Sequence, residues 1–170
     1  GVFFRVVYCY TTRFAWLCHY VLGLTIGAAA AGGWIAVTGS FAPTAYALWA
    51  GVGLWIAGFD ILYATQDYTF DRAHGVKSIP ARFGIPQALR VARASHLLAW
   101  LAFLWAGVSY GAGPLYYLGL LLVGGLLLLE HRLVSPEDLS KVEVAFFQAN
   151  VGVSLGMFLF IVLDLLARGA

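Results

Sequence analysis

Charge is what this sequence has least of. Only 11% of its 170 residues are Asp, Glu, Lys or Arg, while 62% are hydrophobic. A soluble domain carries about 25% charged and about 45–50% apolar residues. A soluble fold of this length has too little interior to hide so much apolar side chain, so a lipid bilayer must cover the rest. The net charge of +2 excludes the broad basic surface that nucleic-acid binding needs. Cysteine is scarce too. Cys9 and Cys18 show no metal-ligand spacing and no disulfide framework, and read as buried thiols. No leader with a charged start, an apolar middle and a small-residue cleavage site opens the chain. It opens instead with Gly1 and a short apolar stretch, Val2–Tyr10. A spanning helix needs about 20 residues. The stretch therefore reads as the tail of a helix, and the sequence as the C-terminal part of a longer protein.

What is present is a series of long apolar runs: Phe14–Thr38, Pro43–Ala64, Gln87–Tyr110, Pro114–Leu129 and Val144–Leu166. Backbone groups in lipid must find partners within their own segment, so these runs predict an all-α, multi-spanning bundle of about five helices plus the N-terminal stub. The fourth run is short and suits a thinner part of the bundle. Turn residues separate the runs at Gly39-Ser40, Gly84 and Pro86, Gly111 to Pro114, and Ser135-Pro136. Ser135-Pro136-Glu137-Asp138 has the pattern of a helix start. Nine of the ten basic residues lie on one side of this topology, and only Arg168 lies on the other. Positive loops mark the cytoplasmic side, so the 65–86 loop is expected there and the C-terminus outside. Gly23/Gly27, Gly107/Gly111 and Gly152/Gly156 offer close helix contacts within the bundle.

Carboxylates are rare, yet three sit in a row where the second span leaves the membrane. On one continuous helix, Asp67 falls about 20° behind Asp60 and Asp71 about 20° ahead, an arc of about 40°. Tyr63 lies on its edge, His74 joins if the helix continues, and Gly75 is a natural stop. Like charges so arranged need compensation. Mg²⁺ is the simplest candidate, since it takes hard oxygen ligands, waters and phosphate oxygens. The basic side chains Arg72, Lys77 and Arg82 follow at once and suit a diphosphate. Solvated aspartates paired with Arg72 or Lys77 are the structural alternative, and an ion or proton pathway a further one.

The same residues resemble the second aspartate-rich motif of the UbiA-type polyprenyltransferases, D-x-x-Y-A-x-x-D-x-x-x-D-x-x-x-G-x-x-S. Asp60, Tyr63, Ala64, Asp67, Asp71, Gly75 and Ser78 fill every fixed position. Ala81-Arg82-Phe83-Gly84 and Arg13-Phe14-Ala15-Trp16-Leu17-Cys18-His19 are similar to the bacterial 4-hydroxybenzoate polyprenyltransferase branch, and Ser78 to Gly84 also resembles the branch linked with menaquinone made through futalosine. The resemblance covers residues 1–170 as the C-terminal part of one nine-helix membrane domain, with 65–86 as the loop carrying the motif. It implies an Mg²⁺-dependent enzyme of the bacterial inner membrane. That enzyme moves a polyprenyl group from a prenyl diphosphate to an aromatic acceptor in ubiquinone or menaquinone synthesis. By position, Asp67, Asp71 and Asp60 would hold metal. Lys77, Arg82, Tyr63, Tyr8 and Ser78 would meet substrate. The family's other aspartate-rich motif has no counterpart here, so this stretch alone is expected to be inactive. Thr12 stands where the family often has the lysine of a Tyr-x-x-x-Lys pattern, with Arg13 next to it.

Other polar residues read more plainly. Gln148 and Asn150 suit bonds between helices, with an acceptor pocket as the alternative. His19 and His96 read as packing or capping groups. Glu130, His131 and Arg132 read as a paired helix end, and Glu137, Asp138 and Glu143 as solvated. Trp34, Tyr46, Trp49, Trp100 and Trp105 suit interface anchors. Two rival functions remain. A CDP-alcohol phosphotransferase needs D-x-x-D-G-x-x-A-R, a string not found in this sequence. An ion-coupled transporter would use the aspartates as its pathway and calls for charge elsewhere in the bundle.

Overall fold

A computed structural model describes residues 16–169, Ala145 and Phe146 by backbone alone. Tyr8, Cys9, Thr12, Arg13 and the Val2–Tyr10 stub lie outside the described residues. Seven helices follow in order: α1 Cys18–Thr38, α2 Pro43–Ala64, α3 Tyr68–His74, α4 Ile79–Phe83, α5 Ile85–Tyr110, α6 Pro114–Leu133 and α7 Val142–Arg168. Five of them, α1, α2, α5, α6 and α7, are long and apolar enough to cross a membrane. No strand occurs among the described residues. The expected all-α spanning bundle is the fold observed.

The five long helices run up and down, and polar bonds join them at both ends. α2 is the centre, packed along α1 on one side and α5 on the other, while α6 and α7 form a second tight pair. Glycine allows the closest of these approaches. A Cβ on Gly23 would meet the backbone carbonyl of Gly53, and one on Gly27 the backbone of Trp49. Gly152 and Gly156 take the Leu126 and Leu122 side chains of α6 in the same way. These small-residue pairs therefore serve contacts inside the bundle. At the end with the short, uncharged loops, Thr44 and Ser109 hydroxyls meet at 3.0 Å. There Asp164 of α7 accepts the Gly113 and Tyr116 amides at 2.8 and 3.3 Å, capping α6 from a different helix. At the charged end, Tyr20 Oη meets Ser95 Oγ at 2.8 Å.

Several expected boundaries move, each for a physical reason. The stretch between the second and third spans is not a plain loop, since it contains α3 and α4. α6 runs to Leu133 rather than Leu129, because Glu130 is buried and faces His96 at 3.5 Å instead of marking the water boundary. Ser135 to Asp138 does not begin a helix. It closes a turn in which the Ser135 and Asp138 amides each donate to the other's carbonyl. The Asp138 carboxylate accepts the Ser140 hydroxyl and amide, which hold it below the usual carboxylate range. α7 starts only at Val142.

Candidate functional site

The carboxylate stripe does not ride on one helix. α2 ends at Ala64, and 65–67 form a turn before α3 begins. The Thr65 hydroxyl donates to the Leu62 carbonyl at 2.6 Å, and the Thr65, Gln66 and Asp67 amides each bond three residues back. A hydroxyl that takes a carbonyl within the last turn competes with the helical ladder. The helix tightens, stops and restarts with Asp67 at its boundary. The 40° arc therefore does not apply, and each aspartate acquires its own surroundings. His74 leaves the group, stacking on Phe70 and bonding the Phe70 carbonyl through Nδ1 at 3.0 Å. Gly75 does stop the helix, at φ 69°, with the Val76 amide on the Asp71 carbonyl at 2.9 Å.

Asp71 is the most buried of the three motif aspartates. It is 8% exposed and accepts the Ser78 hydroxyl at 2.7 Å. The same Ser78 oxygen accepts the Ala81 amide at 3.3 Å and caps α4. One hydroxyl thus ties the buried carboxylate to the helix that carries Arg82. Asp60 faces α1, where His19 Nδ1 lies 2.7 Å from its Oδ2. Asp67 is exposed at the turn.

The segment after Gly75 is fastened at three successive residues. The Lys77 carbonyl accepts the Cys18 thiol at 3.6 Å, Ser78 bonds Asp71, and the Ile79 amide donates to His19 Nε2 at 3.4 Å. Beside it opens a cavity of about 270 Å³ lined by Asp71, Lys77 and Arg82, with Trp16, Arg72 and Gly75 among its other walls. Arg82 is packed over the Trp16 and Phe83 rings at 5.5 and 5.2 Å, and those rings meet edge to face. Arg72 Nη1 donates to the Tyr68 hydroxyl at 2.9 Å. The cavity thus sets three cations, Arg72, Lys77 and Arg82, around one buried carboxylate at one end of the bundle, a local excess of positive charge of the kind that suits an anionic group.

Of the residues named from sequence, the cavity gathers Asp71, Arg72, Lys77 and Arg82. Ser78 stands behind it, while Asp60, Asp67 and Tyr63 are not in its wall. The carboxylate oxygens are the donor type Mg²⁺ prefers. Among the described residues, no three His, Cys, Asp or Glu side chains come together at metal spacing. Since Mg²⁺ takes only one or two protein carboxylates beside water and phosphate oxygens, the set fits a shared Mg²⁺ site and does not complete one.

Three residues matter more in the fold than their place in the sequence signals. His19 read as packing, yet it bonds the motif's first aspartate and the segment after its last. Its distance in sequence, 41 residues from Asp60 and 60 from Ile79, gave no signal. Trp16 was visible only as part of a flanking likeness. The third is His96, buried with His131 Nε2 at 2.9 Å and Glu130 beside it. His96 and His131 line a separate cavity of about 550 Å³ with Arg93 and Arg132, and no motif residue is in its wall.

Residues 1–161 match the UbiA prenyltransferase family. The chain is 34% identical over 166 residues to a 4-hydroxybenzoate octaprenyltransferase of Methylococcus capsulatus, covering 93% of this chain and 55% of that protein. It is 31% identical over 175 residues to the enzyme of that name from Nitrosospira multiformis, covering 100% and 58%. The chain thus spans little more than half the length of these relatives. Its fold superposes on the apo structure of a UbiA homolog from Aeropyrum pernix K1 with a TM-score of 0.81 and 30% identity, over 95% of this chain and 60% of that one.

Proposed function

The chain belongs to the UbiA prenyltransferase family, and from that premise we propose that it forms the diphosphate-holding part of a membrane prenyltransferase acting on an aromatic acceptor. The observation that carries this reading is the cavity where buried Asp71 meets Lys77 and Arg82. Lys77 and Arg82 would bind the diphosphate oxygens. Asp67 and Asp71, with Asp60 in support, would hold Mg²⁺ shared with that diphosphate, and a bound Mg²⁺ would supply positive charge to the leaving group. Ser78 orients the Asp71 carboxylate, and the Trp16–Phe83 pair fixes the Arg82 guanidinium. Tyr63, at the motif's fourth position, would orient a carboxylate or face the allylic cation. Tyr8 would add a phosphate contact from the preceding segment.

In the reaction, the carbon–oxygen bond of the prenyl diphosphate breaks and an aromatic carbon takes the prenyl group. The ring proton then leaves. An allylic cation formed in this way would need a site from which water is excluded. Two curated relatives carry 4-hydroxybenzoate in their names, which favours a 4-hydroxybenzoate-like acceptor and a place in ubiquinone or menaquinone synthesis. The excess of basic residues at the site's end supports a multi-pass protein of the bacterial inner membrane with this end in the cytoplasm.

The experiment is transfer of a labelled prenyl group by the full-length protein to a panel of aromatic acids, with Mg²⁺ and with excess chelator. A prenylated aromatic product that needs the metal supports the proposal. No product from any acceptor with Mg²⁺ present overturns it.

A further inference from the structure

We infer that His19 is a positioning residue that couples Asp60 to the Lys77–Ile79 segment, so that the motif's first carboxylate and its phosphate-binding side chains are held as one unit. This rests on the proposed diphosphate site. Both ring nitrogens are used, and both partners belong to the motif region. Nδ1 lies 2.7 Å from Asp60 Oδ2, at the end of α2. Nε2 accepts the Ile79 amide at 3.4 Å, at the start of α4. The ring is 3% exposed. A buried polar ring is costly unless its partners are in place. If α1 needed only to pack here, an apolar residue would serve, and the Gly23–Gly53 contact already brings α1 and α2 together. Cys18 reinforces the arrangement, since its thiol bonds the Lys77 carbonyl from the adjacent position. Asp60 keeps 21% of its side chain exposed, so the pairing orients this carboxylate without closing it off.

The two contacts can be separated by two substitutions. An asparagine amide reaches about as far as Nδ1, and a glutamine amide about as far as Nε2. His19→Asn therefore keeps a donor near Asp60 and drops Ile79. His19→Gln keeps an acceptor for the Ile79 amide and displaces the Asp60 contact. Two quantities are read on the full-length protein: hydrogen exchange of the 76–81 amides, and KM and kcat for prenyl diphosphate. In His19→Asn, exchange of these amides should rise about fivefold, the worth of one hydrogen bond, and KM should rise with kcat nearly unchanged. In His19→Gln, exchange should stay near wild type while kcat falls. A merely structural histidine would shift thermal stability and give both variants one pattern. Identical patterns in the two variants, or wild-type exchange in His19→Asn, would overturn the coupling. The exchange measurement needs no turnover. A wild-type protein that transfers no prenyl group would sink the proposed function and still leave the coupling readable.

Discussion

Ser78→Ala removes one oxygen from the place where the site is tied together. In the wild type that oxygen donates to buried Asp71 at 2.7 Å and accepts the Ala81 amide at 3.3 Å. A bond to a carboxylate contributes about 1.5–3 kcal/mol, and a helix N-cap about 0.5–2 kcal/mol. The two share an atom and do not add fully. The expected loss is about 2–3 kcal/mol, felt mostly in the segment from Gly75 to Phe83. At about 1.4 kcal/mol per factor of ten, local opening becomes roughly 30- to 150-fold more frequent. Hydrogen exchange followed by mass spectrometry on the protein in lipid nanodiscs reads this directly, through amides 76–83. Amides in the middle of α5 should not change. Ser78→Thr keeps the hydroxyl and should restore most of the protection. Exchange within about twofold of wild type in Ser78→Ala would show that Asp71 is held by something other than this bond.

Two further outcomes follow from the same geometry. Lys77→Met and Arg82→Met each remove a charge from the cavity wall while keeping an apolar stem of similar length. Each should raise KM for prenyl diphosphate about 10- to 100-fold, the worth of one charge-assisted bond, and steady-state kinetics of the full-length protein would show a smaller rise if the diphosphate sits elsewhere. In the bundle, Gly23→Ala puts a Cβ against the Gly53 backbone and should lower stability by about 1–3 kcal/mol. Gly32→Ala, where no neighbour lies within 4 Å, should leave stability unchanged or raise it by up to about 1 kcal/mol. Unfolding in mixed micelles separates the two, and an equal effect at both positions would contradict the described packing.

The fold was legible where hydrophobicity alone decides it. α2 begins and ends where its apolar run does, at Pro43 and Ala64, and α5 ends at Tyr110 as its run does. Boundaries set by polar contacts were not legible. Glu130 reads as a helix end in sequence, yet it lies inside α6 because His96 of α5 faces it. The site divides in the same way. The motif spacing found Asp71, and the basic residues that follow it gave Arg72, Lys77 and Arg82; the fold does bring these four to one cavity. The helical phase of Asp60, Asp67 and Asp71 misled, because a local bond from Thr65 to Leu62 interrupts the helix between the first two. His19 was undervalued because a histidine's worth depends on partners 41 and 60 residues away, Asp60 on α2 and Ile79 at the start of α4, which only the folded bundle brings to it.

The proposed function depends most on buried Asp71, whose carboxylate would serve prenyl transfer directly. Asp71→Asn tests it with little change of shape, since the amide oxygen can still accept the Ser78 hydroxyl. The measurement is the rate of transfer from prenyl diphosphate to 4-hydroxybenzoate, made on membranes containing equal amounts of full-length wild type and variant. The predicted result is a fall of at least about 100-fold, comparable to removing one essential stabilising group from an active site. Transfer at the wild-type rate would contradict the account.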